Sequence, residues 1–248
     1  MLTGRQREIQ AREQLFLDAA RTMVLDEGYQ ALTISRVAEV THFSKGTVYQ
    51  IFHSREELLA ALGVQCRARL HAAIERGARF EGRPRERLVA IGESVAHQYR
   101  CHPHDQRILK IIDAETILER VGEDLRAAME EYDLRIYEIM QDIIEEAISI
   151  GDLELEEDLT PQEVCFAYWA MFDGAYSAML GGAPLETVGI RDPLALVVRS
   201  GQMLGDGLGW RPLCAEWDYA DTAHRIRSTI LREGSDLAGA EIGVSSMA

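Results

Sequence analysis

Residues 33–59 read TISRVAEVTHFSKGTVYQIFHSREELL. Ile34, Val37 and Ala38 form the inner face of a first short helix opened by Thr33, and Phe43, Val48 and Phe52 close over them from a second. Ala38 is small where the two helices cross, and Ser44 caps the second by accepting a backbone N–H bond. Ser54 opens a third helix, with Glu57 three residues on in the capping-box arrangement. The second helix turns Lys45, Gly46, Thr47, Tyr49 and Gln50 outward, and hydroxyls, a cation and an amide side by side suit hydrogen bonding to phosphates and base edges. Taken alone, the pattern fits equally a structural helical hairpin with a polar face.

The same reading extends both ways along the chain. From Gln10 to Glu27, Leu15, Phe16, Ala19, Ala20 and Met23 recur at helical spacing, and Gly28 supplies the stop. The helix from Ser54 runs through Arg67 and His71 toward Phe80, and Pro84 begins another that ends near Cys101-His102-Pro103. Further helices are expected over 105–119, 123–150, 161–180, 193–208 and 216–232. The 123–150 segment carries the clearest stripe: Leu125, Met129, Tyr132, Ile136, Ile139, Ile143, Ala147 and Ile150. Gly151-Asp152, Gly181-Gly182-Ala183-Pro184 and Arg211-Pro212 mark loops. There is no internal repeat, and the alternation over 152–156 is too short for a strand. An all-α fold is expected, with a three-helix domain over 1–62, a larger helical domain over 63–233 and a frayed tail over 234–248.

The 248 residues suffice for a substantial core, and 47% hydrophobic with 27% charged residues is the composition of a folded globular chain. No apolar run approaches the roughly 20 residues of a membrane span. The charged start MLTGRQREIQAREQ lacks the apolar segment of a signal peptide, so a cytoplasmic location is expected. Cys66, Cys101, Cys165 and Cys214 lie far apart and read as free, mostly buried thiols. The net charge of −15 argues against nucleic acid until its distribution is examined. Residues 1–65 carry seven Arg/Lys and eight Asp/Glu, close to neutral, whereas residues 119–158 carry fifteen Asp/Glu against three Arg. A nucleic-acid face answers to the charge of its own domain.

Over roughly residues 9–62, about a fifth of the chain, the sequence resembles the TetR family of transcriptional regulators. The resemblance is carried by the long first helix, Gly28-Tyr29, Thr33-Ile34, the run Ser44-Lys45-Gly46-Thr47-Val48-Tyr49 followed by Phe52, and Ser54-Arg55-Glu56-Glu57-Leu58-Leu59. The remainder is similar only in layout, including the His102-Pro103 turn and the segment 204–210, LGDGLGW. This resemblance implies a homodimeric, sequence-specific DNA-binding regulator on a double-stranded operator, controlled by a small-molecule effector; a repressor is expected, and the aromatic-rich helices of the larger domain favour a largely apolar effector. It implies no catalysis, cofactor or metal. Carried over by position, Lys45, Thr47 and Tyr49 are phosphate or base contacts, Thr33 is a backbone contact, and Gln50 reads a base; Ser44, Gly46 and Arg55 complete the expected set. The chain departs from the family at Thr41-His42, where Ala-Gly is usual. A turn residue at positive φ is costly without glycine, although histidine is among those found there more often. Ile51, where the family often places a histidine or tyrosine, offers only apolar contact.

Three other clusters have alternative readings. His97, Cys101, His102 and His104 sit within eight residues, and His97 and Cys101 share a helix face. Histidines at a helix C-terminus before a proline turn account for them more simply than a metal site does. Tyr168, Trp169, Met171, Phe172, Tyr176 and Met179 cover more than one face of 161–180. A ligand cavity is expected to draw on His97, Tyr137, Met140, Trp169, Phe172 and Tyr176, the rest being core or dimer seam. Gly201, Gly205, Gly207 and Gly209 weaken one helix, consistent with a close subunit interface or, for the last two, a frayed end. An enzyme reading rests only on Glu145-Glu146 and the His97 cluster, with no Gly-x-Ser-x-Gly, His-Glu-x-x-His or phosphate-binding glycine loop. A purely structural dimer is the third reading.

Overall fold

The computed structural model describes residues 3–231, so the expected tail over 234–248 lies outside the described residues. The described residues form ten α-helices and two 3-10 turns, without a strand. The helices are α1 Gly4–Glu27, α2 Ile34–Val40, α3 Lys45–Tyr49, α4 Arg55–Ala78, α5 Pro84–Cys101, α6 Asp105–Ala114, α7 Glu123–Ser149, α8 Pro161–Leu180, α9 Pro193–Gly207 and α10 Tyr219–Thr229. The turns are Tyr29–Ala31 and Ile117–Arg120. Contacts divide the described residues into two compact units: one takes residues up to Arg69 together with Pro103–Tyr132, the other Leu70–His102 and residues 133–231.

In the first unit, α1 buries Phe16, Leu17, Ala20, Met23 and Val24 against Val37, Ala38, Val48, Phe52, Leu58, Leu62, Ile108 and Ile112. Leu15, expected in this stripe, is 44% exposed, and Leu17 takes the core position. α1 also begins six residues earlier than its apolar pattern suggests, because Thr3 and Gln6 close a reciprocal cap. The break in the expected 105–119 helix has a backbone cause: Thr116 adopts φ 47, and the chain resumes as the second 3-10 turn. Asp105, the first residue of α6, is buried and holds α1 and α4 together. Its carboxylate accepts from Arg21 at 3.0 Å and from Arg69 at 2.7 and 2.8 Å. Burial opposes ionisation of Asp105, but the bonds from Arg69 and Arg21 hold its carboxyl below the usual carboxylate range. Burial beside this carboxylate pushes the Cys66 thiol up to about 12.

In the second unit α5 is central, packed by α9 and α10, while α8 packs on α9. Thr160 and Glu163 cap α8 reciprocally ahead of Pro161, and Asp192 caps α9 ahead of Pro193. α10 begins at Tyr219 rather than 216, where the Asp218 side chain accepts from Ala220 and Asp221. Arg85, 1% exposed, donates to the carbonyls of Trp210, Pro212 and Gln202 and to Asp206, binding the α9–α10 connection to α5. Two of the α9 glycines, Gly201 and Gly205, allow close packing within the chain. A Cβ at Gly205 would stand 3.0 Å from Arg85 Nε, and one at Gly201 would meet Tyr168 and Met171 at 3.5 Å. Gly207 faces open space and Gly209 turns at φ 66, in keeping with a helix end. All four cysteines are free; Cys66 and Cys165 are buried, but Cys101 and Cys214 are exposed, so half rather than most are shielded.

Candidate nucleic-acid interface

The reader is built as its residues dictate. Thr33 accepts from Arg36 N at 3.2 Å to start α2. Ser44 Oγ accepts from Thr47 N at 3.1 Å and lies 2.8 Å from Thr47 Oγ1, starting α3. Between them His42 takes φ 58, the left-handed turn residue that glycine usually supplies. Val48 and Phe52 are buried behind α3 as expected. Phe43 is not: it stays 37% exposed, meets the edge of Phe16 at 5.4 Å between ring centroids, and carries the Arg12 guanidinium 5.5 Å over its ring. The third helix opens with Ser54 accepting from Glu57 N at 3.1 Å, but Glu57 reaches back to His53 N at 2.7 Å, one residue earlier than a capping box.

Lys45, Gly46, Tyr49 and Gln50 are exposed on one side of α3, with Thr47 half-buried among them. A Cβ at Gly46 would meet only Ser44 Oγ at an ordinary 3.6 Å, so the fold does not itself demand glycine there. Thr33 is exposed at the start of α2. Arg55 pairs with Glu56 at 3.1 Å and lies 4.5 Å over the Tyr29 ring, while Tyr29 donates to Glu56 at 2.8 Å. Burial, then the bond to Glu56, pushes the Tyr29 phenol up to about 12. This cluster ties the α1–α2 junction to the start of α4, a role that spacing alone does not reveal. Ile51 is half-buried and packs on the first core.

Of the six residues expected around a ligand, Phe172 alone lines the cleft formed in the second unit by α5, α8 and α9, with Arg85, Leu88, Gly92, Tyr168 and Val198 among its other walls. The cleft encloses about 20 Å³, room for about one water. Met140 and Tyr176 belong to the second core, with the Tyr176 ring tilted against Tyr99 at 3.8 Å between centroids. Tyr137 is 37% exposed and donates to the Gln162 carbonyl; Trp169 is 59% exposed. His97 is half-buried, its Nε2 3.5 Å from Cys101 Sγ. No group of three or more His, Cys, Asp or Glu side chains among the described residues is arranged to hold a metal ion. No described helix is long and apolar enough to cross a membrane.

Residues 16–62 match the model of the bacterial regulatory proteins of the tetR family. No curated protein of similar sequence was found. Among solved structures, the fold is shared with the TetR-family regulator PfmR from Thermus thermophilus (TM-score 0.60, 16% identity, covering 76% of this chain and 96% of that one). It is shared with a TetR/AcrR-family regulator from Thermobifida fusca (0.58, 21%, 79% and 98%). FadR from Bacillus subtilis, solved with stearoyl-CoA, is also similar (0.54, 18%, 77% and 96%). Residues 16–62 therefore form a DNA-binding domain of the type found in the bacterial regulatory proteins of the tetR family, and the described residues share the all-helical fold of that family's regulators.

Proposed function

We propose that the chain is a homodimeric repressor whose residues 1–62 read an operator duplex and whose residues 63–233 bind a neutral or cationic, largely apolar effector. The carrying observation is the outer side of α3. Lys45, Tyr49 and Gln50 are exposed there without a structural task, beside a glycine the fold does not require. Lys45, Thr47 and Tyr49 are read as phosphate or base contacts, Gln50 as the base reader, and Thr33 as a backbone contact. Ser44 holds Thr47 in place, Gly46 lets the DNA approach closely, and Arg55, held by Glu56 and Tyr29, completes the contact set.

Dimerisation is assigned to α8 and α9, which leave Phe166 60%, Trp169 59%, Leu196 43% and Met203 64% exposed. Leu196 and Met203 are seven residues apart and so share a helix face; apolar side chains in such number mark a protein surface that is normally covered. Trp169 fits that seam better than a ligand cavity.

The effector is placed at the cleft around Phe172, with Met140 and Tyr176 in the core behind it. At about 20 Å³ the cleft must open to admit more than a water, so binding selects an expanded sensor. Its walls are apolar, and its one guanidinium, Arg85, is already bonded to Asp206. Residues 119–158, fifteen acids against three arginines, add a field that disfavours anions. The Bacillus subtilis neighbour holds stearoyl-CoA; here the apolar portion of such a ligand is the part expected to fit.

The test is selection of duplexes from a random pool, followed by titration of neutral, cationic and anionic apolar compounds with and without the selected duplex. A tenfold release of DNA corresponds to coupling of about 1.4 kcal/mol and requires the duplex to weaken effector binding equally. No enriched sequence would sink the operator reading; exclusive binding of anions would sink the effector class.

A further inference from the structure

The reader is nearly neutral, which raises the question of which cations hold it to the phosphate backbone. Residues 1–65 contain seven Arg and Lys. Three are tied to carboxylates: Arg21 to Asp105, Arg36 to Glu27 and Arg55 to Glu56. The recognition helix keeps only Lys45. The other three, Arg5, Arg7 and Arg12, all lie on the first turns of α1, upstream of residue 16 where the family match begins.

Arg12 is the informative one. Its guanidinium rests on the ring of Phe43, the residue immediately before the cap of α3, so a cation from α1 is held beside the recognition helix. Stacking on an aromatic face orients a guanidinium while leaving its N–H edge available to an anion. Arg5 is exposed and seven residues earlier, which at 100° per residue puts it about 20° from Arg12 on the same face. The helical rise separates them by about 10 Å. The reciprocal Thr3–Gln6 cap keeps this turn helical, so Arg5 stands on a formed helix.

We propose that the amino-terminal turns of α1 form a second DNA contact, in which Arg5 and Arg12 bind backbone phosphates of the duplex gripped by α3. The proposal rests on the operator-binding reading above. Glu8 lies on the same face, four residues before Arg12 and three after Arg5. It weakens this contact through its charge.

The experiment measures dissociation constants for the full-length chain and a duplex selected from a random pool, at several KCl concentrations between about 50 and 200 mM. The variants are Arg5→Ala/Arg12→Ala, Arg12→Lys, Glu8→Gln and Lys45→Ala, with helicity checked by circular dichroism. Each lost phosphate contact lowers the slope of log affinity against log salt by about 0.9, so the double variant, losing two contacts in each of two subunits, is expected to lose about 3.6 per dimer. Its affinity should then fall roughly a hundredfold less than wild type across that salt range. Arg12→Lys should retain the wild-type slope, and Glu8→Gln should bind more tightly. A double variant with an unchanged slope, while Lys45→Ala loses its share of about 1.8 per dimer, overturns this contact and leaves the reader assignment standing. Affinity lost equally at all salt concentrations also overturns it, since Arg12 would then act only by supporting Phe43. A wild-type chain that enriches no duplex overturns both readings.

Discussion

Replacing Asp105 by Asn tests whether the first unit depends on one buried carboxylate. Asp105 is 4% exposed by its side chain, and its partners Arg21 and Arg69 are 23% and 21% exposed. Asn preserves the shape and one acceptor but leaves two largely covered guanidinium groups without an anion. Removing one partner of a buried ion pair costs about 3–5 kcal/mol, because the remaining charge stays desolvated. The partial access of water to both arginines reduces this, and a loss of about 2–4 kcal/mol is expected. For a chain of this size that is a fall in Tm of roughly 5–15 °C in the transition that melts α1, α4 and α6. Thermal melts followed by circular dichroism, with and without DNA, are the assay. The pH dependence has a definite sign. The folded pKa of Asp105 is depressed, so its contribution is present above the ordinary carboxylate pKa and disappears as pH falls through the lower folded value. Wild-type and Asp105→Asn melts should therefore converge below about pH 4 and diverge toward neutrality. A variant within about 1 kcal/mol of wild type near neutral pH, with a parallel pH profile, would show that the arginines simply turn to water.

His42→Gly relieves the left-handed turn at φ 58 and is expected to stabilise the first unit by about 0.5–1 kcal/mol, with DNA affinity unchanged; a destabilised variant would mean the imidazole makes a compensating contact. Gln50→Ala should relax discrimination at one base pair by about 1–3 kcal/mol, measured by competition among single-substituted duplexes, whereas equal weakening on all duplexes would reassign Gln50 to the backbone. Phe166→Asp with Trp169→Asp should yield monomers by sedimentation, and a dimer as tight as wild type would move the interface off α8 and α9. Gly205→Ala places a Cβ 3.0 Å from the fixed guanidinium of Arg85 and should cost about 1–3 kcal/mol as overpacking; a neutral result would show that the α9–α10 connection gives way.

Local chemistry makes the reader legible. Thr33, Ser44 and Ser54 start their helices through bonds that span three residues, and Val37, Ala38, Val48 and Phe52 are buried by a periodicity visible in 27 consecutive letters. The His42 turn is readable for the same reason, since a left-handed residue is forced wherever α2 must stop and α3 begin. Apolar patterning likewise locates α5, α7, α8 and α9 to within a few residues. What lies beyond the sequence are choices between partners distant along the chain. Seven cations in residues 1–65 look interchangeable on paper, yet folding ties Arg21 to a carboxylate 84 residues away and leaves Arg12 on Phe43. Phe43 and Leu15 have core chemistry, but other side chains fill the interior positions that their pattern suggests for them. The glycines of α9 signal close approach without naming the neighbour, which is Arg85 and Tyr168 of the same chain. Helix formation depends on bonds three or four residues long, so a sequence displays it; ion pairing and packing depend on which distant segments meet, and only the tertiary structure decides that.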